Sequence, residues 1–251
     1  MPYLTQLADV ARRTGFPVIE VEDWKTRGHG PQPAVKGIVC HHTAGRNDLR
    51  VVVNGRPGLD GPLSQFWLKH DGSIYVVAAG RCWHNAPSTS ENHTNSNSLG
   101  IEAENDGHEP WPAVQLRAYK ALCAELCKEF KLAASRVKGH KEVQPGKPDP
   151  HTINMTTFRK DVDKLINGGV SGELPILAEG AIGYPVRTAR ALMWIRGYGK
   201  RDGTAEETLN WMRELEFLHE FTEFTKAFQT AKKLTADGII GPLTWQKLEG
   251  R

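Results

Sequence analysis

Apolar and polar positions along the chain fall into two regimes: a mixed stretch over roughly the first two-thirds and a purely helical remainder. The densest apolar run, Ile38-Val39-Cys40, leads straight into His41 and His42 before Thr43-Ala44-Gly45 turns the chain away. A short apolar run bounded by turn residues predicts a buried strand. Leu99, Ile101 and Ala103 alternate with Gly100, Glu102 and Glu104, which predicts a second strand whose Glu102 points off the apolar face. Phe66-Trp67-Leu68 and Ile74-Tyr75-Val76-Val77 flank His70-Asp71-Gly72-Ser73, and Asp-Gly predicts a two-residue hairpin turn. Val18 to Glu22 alternates apolar and acidic residues, like an edge strand, and Arg136 to Glu142 reads as a short strand delivering His140. Helical spacing recurs at Leu4, Leu7, Ala8 and Ala11, then from Trp111 to Lys131 with Pro112 near the start, then from Met155 to Ile166 with Thr156 as the expected N-cap. Arg46 to Pro62 is rich in Gly, Asn and Pro around Val51-Val52-Val53 and is expected to be a long surface loop beside the histidine strand.

Asn167-Gly168-Gly169-Val170-Ser171-Gly172 interrupts every period and reads as a linker. It predicts a first domain over 1–166, a linker over 167–172 and a second domain over 173–251. Beyond the linker four short helical patterns follow, over 185–196, 205–218, 221–233 and 242–248, with a tight turn at Asp237-Gly238-Ile239-Ile240-Gly241-Pro242. The expected fold is therefore α/β, a mixed central β-sheet flanked by helices, followed by a small all-α domain.

Composition narrows the class. The 251 residues carry 32 Lys and Arg against 29 Asp and Glu, a net charge of +3, too small to argue for nucleic acid. No stretch approaches the ~18 apolar residues of a membrane span, so no membrane insertion is expected. Residues 1–20 lack a basic segment followed by an apolar core, so no secretory signal is expected, and the chain stays in the cytoplasm unless another system exports it. The four cysteines, with Cys123 and Cys127 four apart on one helix face, read as reduced, buried small hydrophobes.

The chemistry rests on histidines and carboxylates. A catalytic zinc takes three protein ligands and keeps a fourth position open. One of His41 and His42 can face a site at the strand end while the other packs behind it, and the strand pattern fits either. The best further ligands lie in Gly139-His140 and in Pro145-Gly146-Lys147-Pro148-Asp149-Pro150, where the prolines stiffen the loop that holds Asp149. Glu102, on a neighbouring strand, is a candidate general base, and Lys147 a candidate donor to a developing oxyanion. Each also has a plainer reading: a solvated strand glutamate, a surface lysine, and for His84 a ring packed beside Trp83.

Taken in order, these pieces resemble a known family. Val39-Cys40-His41-His42-Thr43-Ala44, His70-Asp71-Gly72-Ser73-Ile74-Tyr75, Trp83-His84, Asn97-Ser98-Leu99-Gly100-Ile101-Glu102 and the segment from Gly139-His140 to Asp149-Pro150 make residues ~35–165 similar to zinc-dependent N-acetylmuramoyl-L-alanine amidases of the type-2, or peptidoglycan-recognition-protein, fold. The resemblance implies a Zn2+ triad of His41, His140 and Asp149, with His41 preferred over His42, and catalytic roles for Glu102 and Lys147. It implies a substrate groove lined by His84, with Trp83, Asn85 and Thr43 beside it. Other members use a Tyr that aligns near Ser64, so this chain departs from that version and must lean on Glu102. Residues ~173–250 resemble a type-1 peptidoglycan-binding domain, a three-helix module, through Gly183-Tyr184-Pro185-Val186, Ala227-Phe228-Gln229 and the Asp237 to Trp245 stretch. An amidase joined to a wall-binding module without a signal peptide is similar to a phage endolysin, with Asn54-Gly55-Arg56-Pro57-Gly58 resembling those of phages of actinobacteria. Such a protein is expected to be a monomer, held in the host cytoplasm until a holin releases it to the cell wall. Two competing expectations are a non-catalytic peptidoglycan-recognition protein, which typically loses the third ligand, and a zinc peptidase, whose His-Glu-x-x-His motif this chain lacks.

Overall fold

A computed structural model describes residues 3–167 and 176–250. The chain divides into two units, Met1–Ser171 and Gly172–Arg251, each with its own apolar core. From residue 168 onward the linker expected over 167–172 lies outside the described residues.

The first unit is built on a six-stranded sheet of β1 (Val18–Glu20), β2 (Gly37–His42), β5 (Phe66–Leu68), β6 (Ile74–Val76), β7 (Ser98–Ala103) and β8 (Val137–Gly139). Its order is β1-β6-β5-β7-β2-β8, and every neighbouring pair is parallel except β5 with β6. β2 and β7 lie inside the sheet and pair from Gly37↔Ser98 to His42↔Ala103. Strands covered on both faces need apolar runs, which is why Ile38-Val39-Cys40 is fully buried. Ile38, Cys40, Leu99 and Ile101 share a core with side chains of α1 (Leu7–Arg12), α3 (Ala113–Glu129) and α5 (Met155–Ile166). On α3 the stripe is Tyr119, Leu122 and Leu126, all fully buried, each contributing about 1.5–3 kcal/mol by leaving water. Because side chains alternate across a strand, the same register turns His41 and Glu102, which are directly paired, to the opposite face. The strand thus turns His41, and not His42, toward His140 and Asp149. All four cysteines are free and buried.

Four local expectations are corrected. The segment expected as a long loop over 46–62 holds a helix, α2 (Leu49–Asn54), and a two-stranded ribbon of β3 (Gly55–Arg56) and β4 (Leu59–Asp60). Val52 packs inward and is buried while Val51 is exposed, and Gly55 at φ +81° ends the helix. The β5–β6 connection is longer than a two-residue turn, since Leu68 pairs with Ile74; Gly72 at φ +85° donates its N–H to Lys69 O at 3.0 Å. His140 does not sit on a strand: β8 stops at Gly139 and His140 opens a short helix, α4 (His140–Val143). The Glu142 carboxylate accepts the Gly139 N–H at 2.9 Å, a capping contact that makes the chain turn there. The N-cap of α5 is Asn154, whose Oδ1 accepts the Thr157 N–H at 3.0 Å, and not Thr156.

The second unit contains α6 (Tyr184–Ile195), α7 (Ala205–Arg213), α8 (His219–Ala231) and α9 (Pro242–Glu249), four helices where the resemblance implied three. Its core gathers Val186, Met193, Trp211, Phe217, Phe221, Phe228 and Ile240. Gln229 organises the turn before α9: its amide donates to Asp237 Oδ1 at 2.9 Å and Ile239 O at 2.8 Å, and its Oε1 accepts the Gly238 N–H at 2.9 Å. Among the described residues no helix is long and apolar enough to cross a membrane.

Candidate metal centre and cleft

Three side chains from three segments converge on the face of the sheet opposite the helices. His41 lies one residue before the end of β2, His140 begins α4 beside β8, and Asp149 follows on the loop after α4. Lys141 ties that loop down: its N–H donates to Asp149 O at 2.8 Å, and its ammonium to Pro150 O and Ile153 O at 2.7 and 2.9 Å. His41 Nδ1 lies 3.0 Å from His140 Nδ1 and 3.2 Å from Asp149 Oδ2, and His140 Nδ1 lies 3.0 Å from the same oxygen. These three residues are buried, and they form the group able to hold a metal ion among the described residues.

The donor set fits such an ion. Ligands bound tetrahedrally at about 2.0–2.1 Å stand about 3.3 Å apart, close to the edges of this triangle. Protons alone satisfy it poorly, since each neutral imidazole carries one N–H and both of these are used elsewhere. His140 Nε2 lies 2.7 Å from Gln144 Oε1, an acceptor, which leaves Nδ1 bare. His41 Nε2 lies 3.2 Å from His84 Nδ1, and His84 Nε2 lies 3.4 Å from Ser98 O. A backbone carbonyl only accepts, so His84 carries its proton on Nε2, His41 donates from its own Nε2, and the His41 Nδ1 lone pair faces the triangle. Burial pulls the His41 imidazole down to about 4, against the opposing influence of the Asp149 carboxylate beside it. Burial and the neighbouring His41 also pull His84 well down, so both rings are neutral at ordinary pH. Burial pushes the Asp149 carboxyl up, but the His140 and His41 rings beside it outweigh burial and bring the group well below the usual carboxylate range.

Glu102 Oε1 stands 4.0 Å from His41 Nδ1, while its Oε2 is buried without a hydrogen-bond partner. Burial, then the Asp149 and Asp48 carboxylates, push its pKa up to about 8. A divalent cation in the triangle would oppose that shift. The triad and Glu102 open on a cleft of about 300 Å³ that Thr43, Trp83, His84 and Lys147 also line. Lys147 is exposed on its rim. Trp83 is braced by stacking on His29, with ring centroids 4.2 Å apart.

One expected groove residue is corrected: Asn85 is 1% exposed and is not part of the cleft lining. Its side-chain N–H groups donate to His93 O at 2.5 Å and Ser88 Oγ at 3.2 Å, so it shapes the polar loop behind Trp83. The sequence reading missed Gln144, although a Gln four residues after a ligating His is a findable signal on a helical turn. It also missed the side chains that α2 and the β3–β4 ribbon send into the cleft, Asp48, Val52, Arg56 and Leu59.

Residues 31–152 match the model of the N-acetylmuramoyl-L-alanine amidase family. No match is found among curated proteins. Among solved structures, the chain is similar to the N-acetylmuramoyl-L-alanine amidase LysC from Clostridium intestinale, at 23% identity and a TM-score of 0.46 over 58% of this chain and 97% of that one. It is similar to an AmpD derivative at 19% identity and a TM-score of 0.46, over 58% and 93%. It is also similar to a Thermus scotoductus bacteriophage endolysin at 22% identity and a TM-score of 0.41, over 57% and 97%.

Proposed function

We propose that the first unit, corresponding to the expected domain 1–166, is a zinc-dependent N-acetylmuramoyl-L-alanine amidase. It cuts the amide between the lactyl group of N-acetylmuramic acid and L-alanine in bacterial peptidoglycan. The observation that carries this reading is the bare triangle of His41 Nδ1, His140 Nδ1 and Asp149 Oδ2 beside Glu102, whose Oε2 is buried without a hydrogen-bond partner, within the segment that matches the amidase family. A zinc ion held by these three residues supplies a Lewis acid for the scissile carbonyl and lowers the pKa of water toward ~7.

The remaining steps belong to the chain's own groups. Glu102 takes the proton from the attacking water as its oxygen bonds to the carbonyl carbon. It then returns that proton to the alanine nitrogen as the C–N bond breaks, leaving a free muramyl carboxylate and a peptide amine. Lys147 on the rim faces the developing oxyanion with a positive charge. Trp83, His84 and Thr43 bound the groove in which the lactyl and alanyl groups lie. An amidase unit followed by a separate helical unit is the arrangement expected of a phage endolysin, with the C-terminal unit over 173–251 acting as the wall-binding module.

The test is elemental zinc analysis of wild type, His41→Ala and Asp149→Ala, with wall lysis measured on the same samples. About one zinc per chain, lost together with lysis in both variants, is the expected outcome. A wild type that stays metal-free yet binds walls would instead establish the non-catalytic recognition protein. Product analysis giving new stem-peptide amines without muramyl ends would establish a peptidase.

A further inference from the structure

The second unit carries a concavity whose charge its own fold does not account for. Three helices end at it: α6 at its C-cap Arg196, α8 at its C-cap Lys232 and α9 at its C-cap Gly250. Arg196, Lys232, Lys233 and Lys247 line the cavity with Ala231 and Gly250. No carboxylate contributes to this lining among the described residues.

Cations at helix C-termini have an ordinary explanation, since each helix end carries about −0.5 of a charge. Three ends supply roughly −1.5 against four positive charges, so the cavity stays strongly positive. Nor are the cations needed to satisfy the terminal carbonyls, because backbone N–H groups cap them. Tyr198 N donates to Met193 O at 2.9 Å, Leu234 N to Gln229 O at 2.9 Å, and Lys233 N to Thr230 O at 3.0 Å. Arg196 Nε does bond Leu248 O, at 3.2 Å. Its Nη2 lies over Gly250, where an added Cβ would stand 2.8 Å away. The Lys232 ammonium lies 5.9 Å from the centroid of the Phe228 ring. Lys233 holds φ +58°, a left-handed position where glycine is the default residue. Clustered like charges repel, and this arrangement becomes favourable when an anion enters.

We propose that this cavity is an anion site that binds a phosphate group carried by a cell-wall polymer. A tetrahedral oxyanion offers acceptors in several directions at once, enough to meet the Arg196 guanidinium together with cationic side chains arriving from different helix ends. The wall as the source rests on the peptidoglycan reading of the chain; the phosphate site itself rests on the cavity alone.

The experiment measures retention of the full chain on purified walls, intact or stripped of phosphodiesters with cold hydrofluoric acid. It compares wild type with Lys232→Gln/Lys233→Gln/Lys247→Gln and with the triple Lys→Arg variant. Hydrolysis of a soluble muramoyl-peptide by each variant reports whether the amidase unit is intact, and so separates this test from the amidase reading. Expected are about tenfold or greater loss of retention on intact walls for the Gln variant, recovery in the Arg variant, and equal weak retention of all three on stripped walls. Wild-type retention that is unchanged by stripping, or a Gln variant that holds intact walls as well as wild type, overturns the proposal. If inorganic phosphate raises the melting temperature of wild type but not of the Gln variant, while both hold intact walls equally, the ligand is a soluble anion and not the wall.

Discussion

At the scale of single residues, the site is governed by where protons are not. His41 and His140 each spend their one N–H outward, on His84 and Gln144, so both inner nitrogens are ligands in waiting. Replacing His84 with Phe should free the His41 ring to place its proton on Nδ1. The expected loss is 10- to 100-fold in zinc affinity, read by chelator competition, with the His41 tautomer change visible by 15N NMR in the metal-free protein. Glu102 carries a second prediction. In the metal-free protein its pKa of about 8 lies above its ordinary value of 4.5, so the folded state holds a proton that the unfolded state releases. Its contribution to stability is complete below about pH 4.5 and is lost as pH rises toward 8. Chelator-treated wild type should lose roughly 1–3 kcal/mol between pH 5 and 8 relative to Glu102→Gln, measured by denaturant unfolding; a flat difference would contradict the assignment. With zinc restored, Glu102→Gln should keep the metal and lose about 10²–10⁴ in kcat.

At the scale of elements, the sheet positions the chemistry and its glycines make room for it. Gly100 on β7 has no side chain because His84 and Ser64 occupy the space: a Cβ there would lie 2.9 Å from His84 Cγ and 2.9 Å from Ser64 Oγ. Gly100→Ala should therefore push His84 off His41 and lower zinc affinity alongside thermal stability. Gly146→Ala, where an added Cβ meets nothing within 4 Å although φ is +82°, should cost stability alone. The elements legible in the sequence are those whose pattern has one physical cause. β2 is packed on both faces, so it reads as an apolar run; β7 turns one face to the core and Glu102 to the cleft, so it alternates; and α3 covers the sheet with one stripe, so it reads as a helix. Where side-chain contacts decide, the pattern misleads. Val51-Val52-Val53 has strand-like residues yet forms a helix, because Val52 packs with Trp67 and tertiary burial outweighs propensity. His140 reads as strand because nothing local announces that Glu142 reaches back to cap Gly139. The residues that converge on the triangle were legible because each follows a recognisable strand or proline-stiffened loop. Gln144 and the cleft wall from α2 to β4 were not, because only the fold brings them near.

At the scale of the whole molecule, the two units have separate cores, and the proposed function assigns cutting to the first and holding to the second. Deleting residues 173–251 should leave hydrolysis of small soluble muropeptides near the wild-type rate and reduce action on whole walls, because tethering raises the effective concentration of an immobile substrate. Equal loss on both substrates would count against the division. The second unit's turn, where Gln229 of α8 clasps Asp237 and Gly238, was visible as a motif in the sequence. The cationic cavity was not, since its residues are spread from Arg196 to Gly250 and meet only when three helices end together.

The triangle of donors also has a mechanical meaning. His41 is 99 residues from His140 and 108 from Asp149 along the chain, so an ion bound between them is a rivet through a loop of about a hundred residues. It pins the edge strand β8, the short helix α4 and the proline-rich loop to the middle of the sheet. Closing so long a loop removes a large share of the unfolded chain's freedom, and binding confined to the folded form adds stability by mass action. If the proposed zinc is held there, stripping it would loosen one margin of the sheet as well as abolish the proposed activity, and the 144–150 segment is where a protease would enter first.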